Sequence, residues 1–176
     1  MFLAEAAPFK DQVLEFVTQY VAWIEPIVFA LGFGESLVVV SFFIPSTVLF
    51  LGIGGLYAAA DGAFWPIWLA GASGAFCGDV VSYVVGRYFK NDISEFGPIR
   101  KYPEVYARTR ITCRDWGSLA VITSKFMGML RPIVPLVAGA MAMPVPRFLP
   151  ASAISGLLWA GAFLAPGYGI TWFVAG

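Results

Sequence analysis

Two fixed positive charges, Lys125 and Arg131, stand six positions apart in an otherwise apolar run that continues through Pro132 and Pro135 to Gly139. A guanidinium held in such surroundings can grip a phosphate through two parallel N–H bonds, and a lysine ammonium can add a point charge to the same group. Charge at membrane depth is costly and marks a candidate functional residue. The plainer reading of Arg131 is a side chain that snorkels to an interface or clamps a backbone carbonyl. Glu35, in Gly32-Phe33-Gly34-Glu35-Ser36, is a candidate counter-charge to Arg131 or Lys125, or a proton carrier. It also suits a cap on a helix starting at Ser36. Asp79 shares one helical face with Gly71, Gly74, Gly78 and Tyr83, and Arg87 two turns on is a candidate partner. Its readings are a structural network tying that run to the charged one, and a transport role. Ser46 and Thr47 follow Pro45 and offer hydroxyls, and the helix expected after them offers free N–H groups that bind anions. With Arg131 they would make a phosphate cradle.

The chain has no histidine. That excludes imidazole acid–base catalysis, histidine metal sites and phosphohistidine intermediates. A lipid phosphatase of the kind that needs a histidine nucleophile and base is excluded with them. No catalytic residue, metal site or resident cofactor is expected. Cys77 and Cys113 make no disulfide framework. Lysines and arginines balance aspartates and glutamates at 11 each, so nothing draws the chain to nucleic acid.

The elements that must position these residues belong in a bilayer. The 176 residues are 59% hydrophobic and 12% charged, with mean hydropathy +0.78. Soluble domains average about 25% charged residues. One all-α integral membrane domain, 1–176, is expected, and the first residues lack the basic start of a cleavable signal peptide. Lys10, Asp11, Glu15 and Glu25 interrupt an apolar stretch and predict an amphipathic helix; 10–33 either spans or lies at the interface. Residues 36–60 are long enough to span, but Pro45 breaks them near the middle. Two half-helices in a re-entrant hairpin fit better than one kinked helix. Asp61-Gly62 makes a turn. Residues 64–89 then read as a clean span, with Trp65 and Trp68 at one interface and Tyr83 and Tyr88 at the other. Gly71, Gly74 and Gly78 prepare one face for close helix approach, within the chain or in a homo-oligomer.

Seven of the 11 basic residues fall within 87–114, which predicts a cytoplasmic segment of amphipathic surface helices able to attract anionic headgroups. Residues 116–143 are a second broken segment and 147–174 a second span. Pro45 precedes Gly52 by seven positions, and Pro132 precedes Gly139 by seven. The chain therefore reads twice as amphipathic helix, re-entrant hairpin and transmembrane helix, over about 10–90 and about 98–176. Opposite hairpin orientations make these inverted repeats, which place a substrate site where the hairpins meet.

Several blocks carry a family resemblance. Gly34-Glu35, Pro45 and Gly52-x-Gly54-Gly55 form the first. Gly74-x3-Gly78-Asp79-x3-Tyr83-x2-Gly86-Arg87 forms the second. Phe126 to Arg131-Pro132, Pro135-x2-Ala138-Gly139 and Phe148 form the third, and Trp159 with Gly167-Tyr168 the last. Together they resemble the DedA family, also called VTT or SNARE-associated-Golgi-type membrane proteins. The resemblance implies two facing re-entrant hairpins in a bacterial inner membrane. It also implies flippase- or scramblase-like transport of membrane lipids: polyprenyl phosphate carriers, or glycerophospholipids such as phosphatidylethanolamine. The chain departs from the family at Ser46-Thr47, where Gly and an acid are common after the proline. It departs again at Lys125, where an arginine is common. Both bear on coupling to protons or sodium, for which Glu35 is the main candidate. A proton-coupled small-solute or ion transporter and a non-transporting membrane scaffold remain alternatives.

Overall fold

The computed structural model describes residues 23–37, 46–90, 100 and 103–175, and every regular element among them is helical. Helix α1 covers residues 23–35. It is followed by α2 (Ser46–Ala59), α3 (Phe64–Phe89), α4 (Pro103–Trp116) and α5 (Ser118–Ser124). A short 3-10 turn, Gly128–Leu130, leads to α6 (Ile133–Ala140) and α7 (Val145–Ala175). Residues 10–22, Pro45 and much of the 87–102 stretch lie outside the described residues, so the predictions made on them are not addressed.

Among the described residues, two helices are long and apolar enough to cross a membrane: Phe64–Phe89, and Val145–Ile170 within α7, each of 26 residues. At 1.5 Å per residue each reaches roughly 39 Å, against about 30 Å of hydrocarbon. Pro150 and Pro166 lie inside α7 without ending it, since apolar spans accommodate the lost backbone bond by local adjustment. The turn before α3 is the expected one. Asp61 takes a left-handed conformation (φ 56°), and the Gly62 N–H donates to the Tyr57 carbonyl at 3.0 Å.

The second broken segment breaks where Lys125–Pro132 separates α5 from α6. Pro132 caps α6. Pro135, the second proline of this broken run, does not break it. It lies in the first turn of α6, where its missing N–H had no intrahelical partner to lose. The described part of the first segment has the same form, α2 beginning at the residue after Pro45.

Small residues set the helix crossings, as expected where lipid supplies no hydrophobic drive and close packing must hold helices together. A Cβ at Gly54 would collide with the Leu164 carbonyl, and one at Gly167 with the Leu51 carbonyl, so α2 and α7 run backbone to backbone. Gly86 against Leu136 and Gly139 against Tyr83 join α3 to α6 in the same way. The glycine face of α3 receives α1, with Gly74 against Phe29 and Gly78 against Phe33. Two main apolar clusters result among the described residues. One gathers Tyr83, Val121, Val134, Val137 and Phe148. The other gathers Val28, Phe50, Ile67, Trp159 and Leu164. Tyr83, expected in an interface belt, belongs to the first: its ring stacks on Phe148 at 4.2 Å. Its hydroxyl has a backbone acceptor at Met143, so the polar tip needs no water.

Candidate functional site: two buried ion pairs

Where α1 ends, α5 stops and α6 begins, four charged side chains meet inside the protein. Glu35 closes α1. Arg131 stands at the break, held in helical conformation (φ −50°, ψ −59°) just ahead of Pro132. The two form an ion pair through Arg131 Nη1 and Glu35 Oε1, with side-chain exposures of only 7% and 5%. Trp159 of α7 provides the floor, its ring centre 4.0 Å from the Arg131 Cζ. A guanidinium over an indole in a desolvated site gains about 2 kcal/mol from the ring quadrupole. Trp159 is itself fixed by Phe50 at 4.7 Å and Phe163 at 5.7 Å. Arg131 Nε and Nη2 and Glu35 Oε2 are buried with no hydrogen-bond partner among the described residues.

Lys125 caps the C-terminus of α5. Its ammonium lies 2.8 Å from Asp79 Oδ2 and 2.9 Å from Oδ1, and donates to Ser36 Oγ at 3.2 Å. Ser152 of α7 donates to Asp79 Oδ2 at 2.8 Å. Ser82 of α3 donates to the Ser36 carbonyl at 2.9 Å. Ser155 donates to the Ile122 carbonyl at 2.9 Å, serving one of the carbonyls that the short α5 leaves free. The second pair thus ties the end of α1 to α3, α5 and α7. Since Glu35 and Ser36 are consecutive, the two pairs are neighbours, and their four charges cancel.

Asp79 and Lys125 are therefore partners, and Arg87 does not reach Asp79. Eight residues carry Arg87 roughly 12 Å along α3 and about 80° around it. It donates instead to the Tyr83 hydroxyl at 2.7 Å and the Met143 carbonyl at 3.4 Å. Lys125 does not pair with Glu35, which Arg131 takes. Pro45 and the side chains of Ser46 and Thr47 lie outside the described residues. Pro132, Pro135 and Gly139 are all buried in and before α6. Ser36, Ser152 and Trp159 complete the cluster, and sequence reasoning did not assign them to it. Two of them had a signal: hydroxyls buried in apolar runs need acceptors, and a carboxylate elsewhere in the apolar interior is one. Trp159 had none that separates it from the chain's other tryptophans. Cys113 on α4 is buried and its thiol is pushed up to about 11 by that burial, so it is an unreactive packing group at neutral pH. Among the described residues, no cluster could hold a metal ion.

A helical membrane protein with paired charges buried between its apolar helices is the class these features define. The sequence matches the VTT domain over residues 44–169. It is 32% identical to the inner membrane protein YabI of Escherichia coli (strain K12) over 152 residues, which is 86% of this chain and 60% of that one. It is 30% identical to the uncharacterized membrane protein BU139 of Buchnera aphidicola subsp. Acyrthosiphon pisum over 158 residues, 90% of this chain and 62% of that one. The inner membrane protein YghB of Escherichia coli (strain K12) is 29% identical over 147 residues, 82% and 67% of the two chains. The chain belongs to the VTT domain, or DedA, family of membrane proteins. It spans about three fifths of the length of the first two of these relatives. No solved structure matches it.

Proposed function

We propose that this protein moves a phosphate-bearing lipid headgroup across a bacterial inner membrane, either polyprenyl phosphate or a glycerophospholipid such as phosphatidylethanolamine. The observation that carries this reading is the unused edge of Arg131. Nε and Nη2 form the side-on fork of a guanidinium, and both are buried without a partner among the described residues. That fork matches two oxygens of a phosphate. Glu35 occupies only the remaining nitrogen, so it leaves the fork open and serves as the counter-charge of the empty site, and coupling to protons or sodium runs through it. Lys125, its charge taken by Asp79 and Ser36, holds the elements around the fork in place. Ser46, Thr47 and the start of α2 complete the cradle from the other half.

The architecture proposed around this site is a single multi-pass membrane domain of two inverted repeats, each an amphipathic helix, a re-entrant hairpin and a transmembrane helix. Crossed packing supports it. The helix after each proline leans on the span of the other half, α2 on α7 and α6 on α3, through paired glycines in both places. The basic segment 87–114 is proposed to face the cytoplasm. A groove between the hairpins would shelter the headgroup while the tails stay in lipid, and no bond is made or broken.

The test reconstitutes the chain in vesicles and follows headgroup translocation of polyprenyl phosphate and of phosphatidylethanolamine, separately, with and without a pH gradient. Translocation of one lipid that Arg131→Ala loses while remaining folded is the expected result. Folded wild-type protein that moves neither lipid overturns the reading in favour of a small-solute transporter or a scaffold.

A further inference from the structure

A second cluster of cations stands apart from the buried pairs, on the outside of the molecule. Helix α4 turns Val105, Tyr106 and Cys113 toward the core and leaves Arg108, Arg110 and Arg114 exposed. Between the last turns of α4, the bend at Gly117–Ser118, the α6–α7 turn and the start of α7 lies a cavity of about 440 Å³. It is lined by Arg114, Arg147, Ser118, Met141, Met143 and Pro144, among others. A second hollow of about 290 Å³ shares Arg114 and Met141 with it and adds Arg110 and Ile111. Three arginines thus edge two adjoining hollows. The carboxylate there, Asp115, is engaged by Arg114 Nε at 3.0 Å on the exposed surface, where such a pair holds the arginine only weakly. Arg110 also leans on the Tyr106 ring at 5.8 Å. The N-terminus of the 31-residue α7 opens beside the cavity and adds the positive end of its dipole.

The surroundings say what kind of anion fits. Ile111 and Met141, which line the hollows, are exposed large apolar residues, as are Trp116, Leu119 and Val145, close to the arginines in sequence. Tyr83 and Arg87 of α3 bond the Met143 carbonyl just ahead of α7, so one span ends and the other begins at this level. A bilayer crossed by these two helices would place its headgroups at this level. A soluble phosphate would have no use for the apolar rim, whereas a lipid has a phosphate for the arginines and chains for the rim.

We propose that the hollow between Arg110, Arg114 and Arg147 is a binding site for the phosphate of an anionic membrane lipid, separate from the buried Arg131 pair. It holds whether or not the chain translocates lipid. Each arginine in contact with the bound phosphate is expected to strengthen binding roughly fivefold, the size of a single basic residue's attraction to anionic lipid. The variants are confined to exposed side chains and leave the buried pairs intact.

The experiment titrates the purified full chain in detergent with phosphatidylglycerol, with phosphatidylcholine and with inorganic phosphate, reading the thermal unfolding midpoint. Phosphatidylglycerol should raise the midpoint at concentrations where the other two do not. Arg114→Gln with Arg147→Gln should need roughly 25-fold more of it. Arg108→Gln, on the same helix but outside the hollow, should behave as wild type. Should the double variant fold poorly, each single variant should show about a fivefold loss, and Arg114→Lys with Arg147→Lys should recover most of the response. An equal response to phosphatidylcholine or to inorganic phosphate overturns the proposal. So does a phosphatidylglycerol response that survives loss of both arginines, or one that Arg108→Gln weakens equally.

Discussion

Lys125 and Arg131 stand six positions apart, each buried and each bound to one carboxylate from the first half of the chain. Their surroundings differ. The ammonium of Lys125 donates to Asp79 Oδ1 and to the Ser36 hydroxyl, with Asp79 Oδ2 also only 2.8 Å away. Asp79 has Ser152 as a further donor. Arg131 shares one nitrogen with one oxygen of Glu35, and the rest of both groups is unpartnered among the described residues. A compact point charge is served by a small polar nest, whereas a planar fork with five donors needs more acceptors than Glu35 supplies here. The difference separates two uses of buried charge. A saturated pair spends its interactions on the protein and holds elements in place. An unsaturated one keeps binding capacity in reserve, at a cost of about 1–3 kcal/mol for each unpaired buried group.

The largest effect expected from this contrast is on stability at the saturated pair. Lys125→Met leaves Asp79 charged, buried and short of its main partner, and should destabilise the fold by about 3–5 kcal/mol. Thermal or denaturant unfolding in detergent measures it. Replacing both members, Lys125→Met with Asp79→Leu, should recover most of that loss, because no lone charge remains. If the single and double variants are equally unstable, the pair is not acting as a clamp.

The next effect separates charge from shape at the unsaturated pair. Arg131→Lys keeps a cation opposite Glu35 but removes the free fork. Losing a charge-assisted hydrogen bond of about 1.5–3 kcal/mol corresponds to a fall of roughly tenfold to a hundredfold in rate. Under the translocation proposal, headgroup movement should fall by that much while the unfolding midpoint changes little. Unchanged movement would mean that charge alone suffices at position 131 and that the fork is incidental.

A smaller effect should reach Arg131 through its frame and leave Lys125 alone. A Cβ at position 139 would run into the Tyr83 carbonyl, so Gly139→Ala must push α6 away from α3. Overpacking of this kind costs about 1–3 kcal/mol. Arg131 is attached to α6, whereas Lys125 is attached to α5, so translocation should suffer beyond the stability loss. Gly52→Ala is the control: nothing lies within 4 Å of a Cβ there. The expected result is no loss of stability.

How far the sequence foretold all this differs between the two pairs. The two long apolar helices were legible because such helices with aromatic ends leave a strong pattern, and α3 runs over the predicted 64–89. The break before Pro132 was legible because proline both ends one helix and starts another. The behaviour of Pro135 was not, since whether a proline breaks a helix depends on where the helix begins. Four charges in apolar runs were enough to nominate Glu35, Asp79, Lys125 and Arg131, but not to pair them. Pairing depends on how α1 crosses the glycine face of α3, which no local pattern encodes. Proximity along the helix favoured Arg87 as the partner of Asp79, and tertiary packing supplied Lys125 from 46 residues away instead.

The smallest effect concerns the floor under Arg131, and it tests whether the reserve there is electrostatic or merely spatial. Trp159→Phe keeps an aromatic ring beneath the guanidinium but weakens its quadrupole and shortens its reach. The interaction lost is about 0.5–1 kcal/mol, a twofold to fivefold effect. If the ring face stabilises the free fork, this variant should weaken translocation by that factor. If the clamp and the fork act separately, Lys125→Met in the same background should then cost the stability it costs in wild type, since independent sites add. If instead the two changes prove strongly non-additive in unfolding experiments, the pairs are one coupled network of four charges. The division between a saturated clamp and a reserved fork would then have to be given up.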